Sequence, residues 1–271
     1  MDSLALPQEL IDRIVDHVVA PLRGPEGQLI LRKDAQVAKD LFALTLIPRL
    51  EAGSSRVLFG QLTVGNRSRT VPAFASAVKG SYRLSLAIVS LNIDLDNCDV
   101  SRSASIEDLE TIILSLRSLV KLRIRNRRGN TGPSLRRRNR QARPDPTAIL
   151  SIQDLTLSSL DIDAVLQCLT FFTKVTELTL ENIFCANVPT FQLSKNSPSR
   201  LAVRTLQFTR CHPALAGLLS AVIDTQYPVD RIELYNVVVS LEYKALRHLL
   251  CTVGREAVEV TLELTNRWAK N

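Results

Sequence analysis

Glycine is scarce in this chain, 10 in 271 residues, and neither a G-x-G-x-x-G turn nor a G-x-x-x-x-G-K loop occurs. The backbone cradles that hold phosphate in doubly wound nucleotide-binding sheets are thus missing. Histidine is scarcer still, and His17, His212 and His248 stand near no candidate nucleophile. With no H-E-x-x-H or G-x-S-x-G present, each histidine is expected to be structural, and the chain is not expected to be an enzyme or to carry a metal or cofactor. The cysteines (98, 168, 185, 211 and 251) are odd in number and scattered, with no C-x-x-C pair. That pattern suits neither a disulfide framework nor a zinc knuckle, so they read as reduced core thiols. No apolar run reaches the eighteen or so residues that span a bilayer, and the N-terminus carries Asp2 and Pro7 in place of a basic-then-apolar signal. A soluble intracellular protein, cytoplasmic or nuclear and without a membrane partner, is expected.

Acidic residues are absent from 121 to 143, where ten basic ones fall. Removing those ten from the net charge of +7 leaves −3 for the rest, so the positive field is local. The stretch from about 127 to 146, rich in Arg, Asn, Gly and Pro, reads as a solvated insertion. Arg136, Arg137, Arg138, Arg140 and Arg143 form its basic centre, which also fits a nuclear-import signal or a phosphate-binding arm. No aromatic residue interrupts the run, which weakens a stacking-type reading for single strands.

What the chain has in plenty is aliphatic residues in a repeating order. Short alternating phrases centred on Leu91, Leu122, Leu155, Leu178, Leu206, Ile232 and Val260 each read as a strand. Their intervals are 31, 33, 23, 28, 26 and 28 residues, four of them within the 20 to 29 of a leucine-rich repeat. Between phrases the period turns helical, as in Ile106, Leu109, Ile112, Ile113, Leu116 and in Ile162, Val165, Leu166, Leu169, Phe172. Leu215, Leu218, Leu219, Val222, Ile223 and then Leu246, Leu249, Leu250, Val253 repeat the pattern. Strand and helix in alternation predict an α/β solenoid with a parallel sheet, the helices serving as crossovers.

One face of each strand then packs on helices and the other lies open. Alternate positions place Arg123, Arg125, Asp154, Thr156, Ser158, Glu177, Thr179, Glu181, Thr205, Gln207, Thr209, Arg231, Glu233, Tyr235, Glu259, Thr261 and Glu263 outward. This row, basic near Arg123 and acidic near Glu263, suits recognition of a folded protein better than a small apolar ligand; a merely solvated row is the plain alternative. Asn126, Asn182 and Asn236 sit at matching offsets, where a buried amide would bond the turn backbone of neighbouring repeats, with Cys211 one position late.

At the N-terminus, Leu6-Pro7-Gln8-Glu9-Leu10-Ile11-Asp12-Arg13-Ile14-Val15-Asp16-His17-Val18 opens a helix at Pro7 and carries an apolar stripe. Such a stripe packs on its own domain or on a partner. The string resembles the start of F-box proteins, especially the F-box-like, leucine-rich-repeat-bearing proteins abundant in mushroom-forming fungi. Leu41 to Thr45 is similar to that family's second helix, Val57 to Val64 to its exit segment, and Phe74 to Ile93 to its first strand region. The chain departs from the family at Ile47-Pro48-Arg49-Leu50, where a Ser/Arg-Trp pair is common, and between Pro21 and Lys33, which is lengthened. The resemblance implies an F-box-like module over 1–64, followed by the repeat solenoid over 65–271. It further implies a substrate receptor of a cullin-RING ubiquitin ligase, with Leu6, Pro7, Leu10, Ile11, Ile14 and Val18 contacting a Skp-type adaptor and the sheet face taking an unknown protein target. A repeat scaffold without a ligase role and a nucleic-acid-associated protein using residues 121–143 are the alternatives.

Overall fold

The computed structural model describes residues 60–65, 70–95, 105–126, 150–185, 201–237 and 239–264. The expected N-terminal helix with its six adaptor candidates, and Arg136 to Arg143 of the expected basic insertion, lie outside them, as do Cys98 and His17.

Eight strands form one all-parallel sheet: β1 (Gln61–Gly65), β2 (Ser90–Leu95), β3 (Lys121–Asn126), β4 (Ser151–Ser158), β5 (Lys174–Glu181), β6 (Ala202–Thr209), β7 (Arg231–Val237) and β8 (Glu259–Leu264). They lie in chain order, each paired with its sequence neighbours. All seven phrases read from the sequence are strands of this sheet. An eighth precedes them: β1 straddles the boundary drawn at residue 64, so the sheet starts at Gln61. The short Gln-Leu-Thr-Val-Gly alternation carries only two apolar residues, too few to stand out.

Among the described residues helices supply five of the seven crossovers: α1 (Thr70–Gly80) and α2 (Tyr82–Ala87) between β1 and β2, α3 (Ile106–Ser115) between β2 and β3, α4 (Ile162–Leu169) between β4 and β5, α5 (Pro213–Val222) between β6 and β7, and α6 (Val239–Thr252) between β7 and β8. The stretch from Phe74 to Ile93 is thus helical over most of its length and reaches its strand only at Ser90, where β2 begins. Val71, Ala75 and Val78 recur at helical spacing and are buried, and Ser81 caps α2 by accepting from the Leu84 N–H. Helix α3 opens on a capping box, Ser105 with Asp108, and α5 opens on His212 and Pro213. None of the described helices is long and apolar enough to cross a membrane.

Register explains why the phrases share one pattern. Leu62, Leu91, Leu122, Leu155, Leu178, Leu206, Ile232 and Val260 are successive partners across the sheet. Val64, Ile93, Ile124, Leu157, Leu180, Phe208, Leu234 and Leu262 form a second column two residues on. From β1 to β7 these columns join the buried stripes of the helices in one core. Each fully buried aliphatic side chain contributes about 2 kcal/mol, which is why the period-two rule holds so strictly there. In β4 to β6 a third rung, Ile152, Val175 and Val203, lies three residues ahead of the first column and is also buried.

The strands end on a shared device. Ser159, Asn182 and Arg210 follow β4, β5 and β6 with φ of 56°, 51° and 54°, and Asn236, the penultimate residue of β7, has φ of 55°, all in the left-handed region. This corrects the buried-amide reading of the asparagines: Asn182 is exposed and Asn236 half-buried, and only Asn126 is enclosed. Asparagine tolerates that backbone better than most residues. A cross-repeat bond to the backbone is also made by Cys211, whose thiol donates to the Leu180 carbonyl at 3.2 Å.

The cysteines need a second correction. All four described ones are free thiols, but only Cys168 is in the core; Cys185 and Cys211 are half-buried and Cys251 is exposed. Burial pushes the Cys168 thiol up to about 12.

Candidate functional site: the polar face of the sheet

The strand order never reverses. Doubly wound sheets bind ligands in the crevice made where order reverses, whereas here the helices cover one face and leave the other open. The candidate site is therefore a surface, built on the residues that alternate with the two apolar columns.

Three polar columns run across it. One carries Lys121, Asp154, Glu177, Thr205, Arg231 and Glu259, the middle one Arg123, Thr156, Thr179, Gln207, Glu233 and Thr261, and the third Arg125, Ser158, Glu181, Thr209 and Tyr235. Every outward position named from the sequence up to Tyr235 occurs in these columns, and Glu263 is exposed at the far end. One departs in exposure: Ser158 faces outward by register but is only 3% exposed. Arg123 on β3 reaches over β4 to Glu181 on β5, 3.8 Å away.

Charges on this face meet in pairs, which the linear sequence does not show. Lys121 binds Asp154, and that hydrogen bond raises the lysine pKa. Arg231 bridges Glu259 at 2.6 Å and Glu233 at 3.5 Å, and the bond to Glu259 is the main cause of its raised pKa. Tyr235 donates its hydroxyl to Glu233 at 3.2 Å; loss of solvent first, then that bond, raises the phenol pKa. Between these charged ends the middle column is uncharged on β4 to β6, as Thr156, Thr179 and Gln207, where Thr179 donates to Gln207 Oε1 at 3.1 Å, with Asp154, Glu177 and Glu181 in the columns on either side.

The basic run of the sequence is divided by the fold. Lys121, Arg123 and Arg125 belong to β3 and the polar face. His212 serves as a cap, its Nδ1 accepting from the Ala214 N–H at 3.2 Å, and His248 is exposed on α6. Among the described residues no three His, Cys, Asp or Glu side chains gather as a metal-holding group. Sequence reasoning missed the third apolar rung and the left-handed strand ends, although the Val-x-x-Leu-x-Leu and Val-x-x-Leu-x-Phe spacings at Val175 and Val203 were visible signals.

No protein-family model, no curated protein and no solved structure matches this chain.

Proposed function

We propose that the chain is a protein-recognition module, a leucine-rich-repeat-like solenoid that holds a folded protein on its polar sheet face and serves as the substrate receptor of a cullin-RING ubiquitin ligase. The observation that carries the recognition reading is the helix-free face of eight parallel strands, polar in every column while the reverse is aliphatic. Strand spacing of about 4.8 Å gives it a width of roughly 34 Å, and six residues per strand a height of roughly 20 Å. That is a footprint near 700 Å², close to the ~800 Å² per partner of a standard interface. Thr156, Thr179 and Gln207 form a small uncharged centre ringed by charged residues, in keeping with interfaces in which charge is depleted at the core.

Repeat spacing supports the solenoid. Val203-x-x-Leu206-x-Phe208-x-x-Cys211 follows the leucine-rich-repeat order, and Cys211 makes the cross-repeat backbone bond suited to its position. The ligase role rests on the resemblance of Leu6 to Val18 to an F-box start. In this reading the protein does no chemistry; it raises the effective concentration of its target beside a ubiquitin-charged enzyme. Leu6, Pro7, Leu10, Ile11, Ile14 and Val18 hold the Skp-type adaptor.

Co-purification of the full chain with a Skp-type adaptor tests this, beside a Leu10→Asp/Ile14→Asp double variant whose circular dichroism matches the parent. Co-elution with the parent and loss with the variant is expected. A parent chain that never retains the adaptor sinks the ligase role and leaves the scaffold.

A further inference from the structure

Ile232 and Leu234 on β7 are fully buried, whereas their partners on β8, Val260 and Leu262, are 48% and 51% exposed, and Val258 leading into the strand is 87% exposed. The two apolar columns thus run on to the last described strand without cover. Among the described residues β8 pairs only with β7, so one side of its backbone presents unpaired N–H and C=O groups. The alternate positions on the polar face are Glu259, Thr261 and Glu263. Arg231 engages Glu259, while Glu263 has no ion pair among the described residues and lies close enough to Tyr235 to act on its hydroxyl.

Independently of the ligase reading, we propose that the β8 edge takes up an extended segment of a partner protein, in which Lys or Arg alternates with aliphatic residues, as a ninth strand. Strand addition draws affinity from main-chain bonds and specificity from alternate side chains. Here the aliphatic positions would extend the columns ending at Val260 and Leu262, and the basic ones would meet the acidic row. The sheet already contains one such join: β3, Lys-Leu-Arg-Ile-Arg-Asn, sits beside β4 with Lys121 on Asp154.

Charge also argues against a second copy. A twofold pairing of β8 with itself that keeps the faces matched and centres on Thr261 sets Glu259 opposite Glu263 twice, and like charges directly opposed are destabilising. A basic strand removes that conflict.

The test uses the full chain and a labelled peptide, Lys-Val-Lys-Ile-Lys-Val, with its acidic counterpart and the block isomer Lys-Lys-Lys-Val-Ile-Val as controls. Fluorescence anisotropy reads binding, and amide hydrogen exchange reads where it occurs. The alternating basic peptide should bind, protect the amides of 259–264, and weaken as salt rises. The exposed substitution Glu263→Lys should weaken it about fivefold at low salt without altering the fold. Several results overturn the proposal: no binding, equal binding of either control peptide, indifference to Glu263→Lys, or protection in the free monomer of those 259–264 amides that do not bond β7, as the chain's own residues 265–271 would give them. Protection that follows dimerisation overturns it in favour of a second copy.

Discussion

On the helix side the first seven strands carry Leu, Ile, Val or Phe at every rung of two columns, while on the open side the same strands carry Lys, Arg, Asp, Glu, Thr, Gln and Tyr in no fixed order. The two faces share one backbone and one twist, so the contrast is not in local geometry. It lies in what each face must touch. The covered face answers to close packing, where a lost methylene leaves a void, and only aliphatic or aromatic side chains satisfy it. The open face answers to no contact the fold requires, so its residues are free to be chosen for a visitor.

That contrast is most sharply broken by a pair of truncations at adjacent positions. Leu178→Ala, at the centre of the first column and fully buried, should lower unfolding free energy by about 2–5 kcal/mol in urea titration. Thr179→Ala beside it should stay within about 0.5 kcal/mol. Similar costs at both sites would mean that the polar face is also part of the packing.

Next in size are the left-handed strand ends. A β-branched residue suits that backbone worst, so Ser159→Val should cost about 1–2 kcal/mol, whereas Asn182→Gly should change the midpoint very little. Removal of the Ser105 hydroxyl from its capping box should cost about 1 kcal/mol, read by the same titration. A null result for Ser105→Ala would place the anchoring of α3 entirely in its buried stripe.

Thiol chemistry sharpens the comparison by depth. At pH 8 an alkylating reagent should modify exposed Cys251 rapidly and Cys168 only on unfolding, as mass spectrometry of timed samples would show. Because the folded-state pKa of Cys168, about 12, stands above the ordinary thiol value, the unfolded chain loses that proton first. The thiol's contribution to stability is therefore full below about pH 8.5 and declines as pH rises through the folded value. Smallest of all, Arg231→Ala on the open face should change the urea midpoint very little, since Glu259, its closer partner, stays half exposed to water.

The sheet was legible because burial leaves a periodic mark: Leu91, Leu122 and their successors could be found by alternation alone. Strand β1 was not, since Leu62 and Val64 form too short an alternation. The strand ends were half legible, visible as asparagine at 182 and 236 and hidden as Ser159 and Arg210, because left-handed backbone favours Asn or Gly without requiring them. On the open face, membership was readable and pairing was not. That Arg231 would bind Glu259 follows from register between β7 and β8, which a linear charge pattern does not encode, whereas its contact with Glu233 two residues on lies within one strand.

Since every strand finds its partners next along the chain, the spacer between rungs is at liberty to change. Leu122 and Leu155 are 33 residues apart and Leu155 and Leu178 only 23, yet both pairs sit in register. Closing the longer loop costs only a few tenths of a kcal/mol more, because the penalty grows with the logarithm of length. An architecture of this kind can accept new sequence between its rungs without renegotiating how the rest is held.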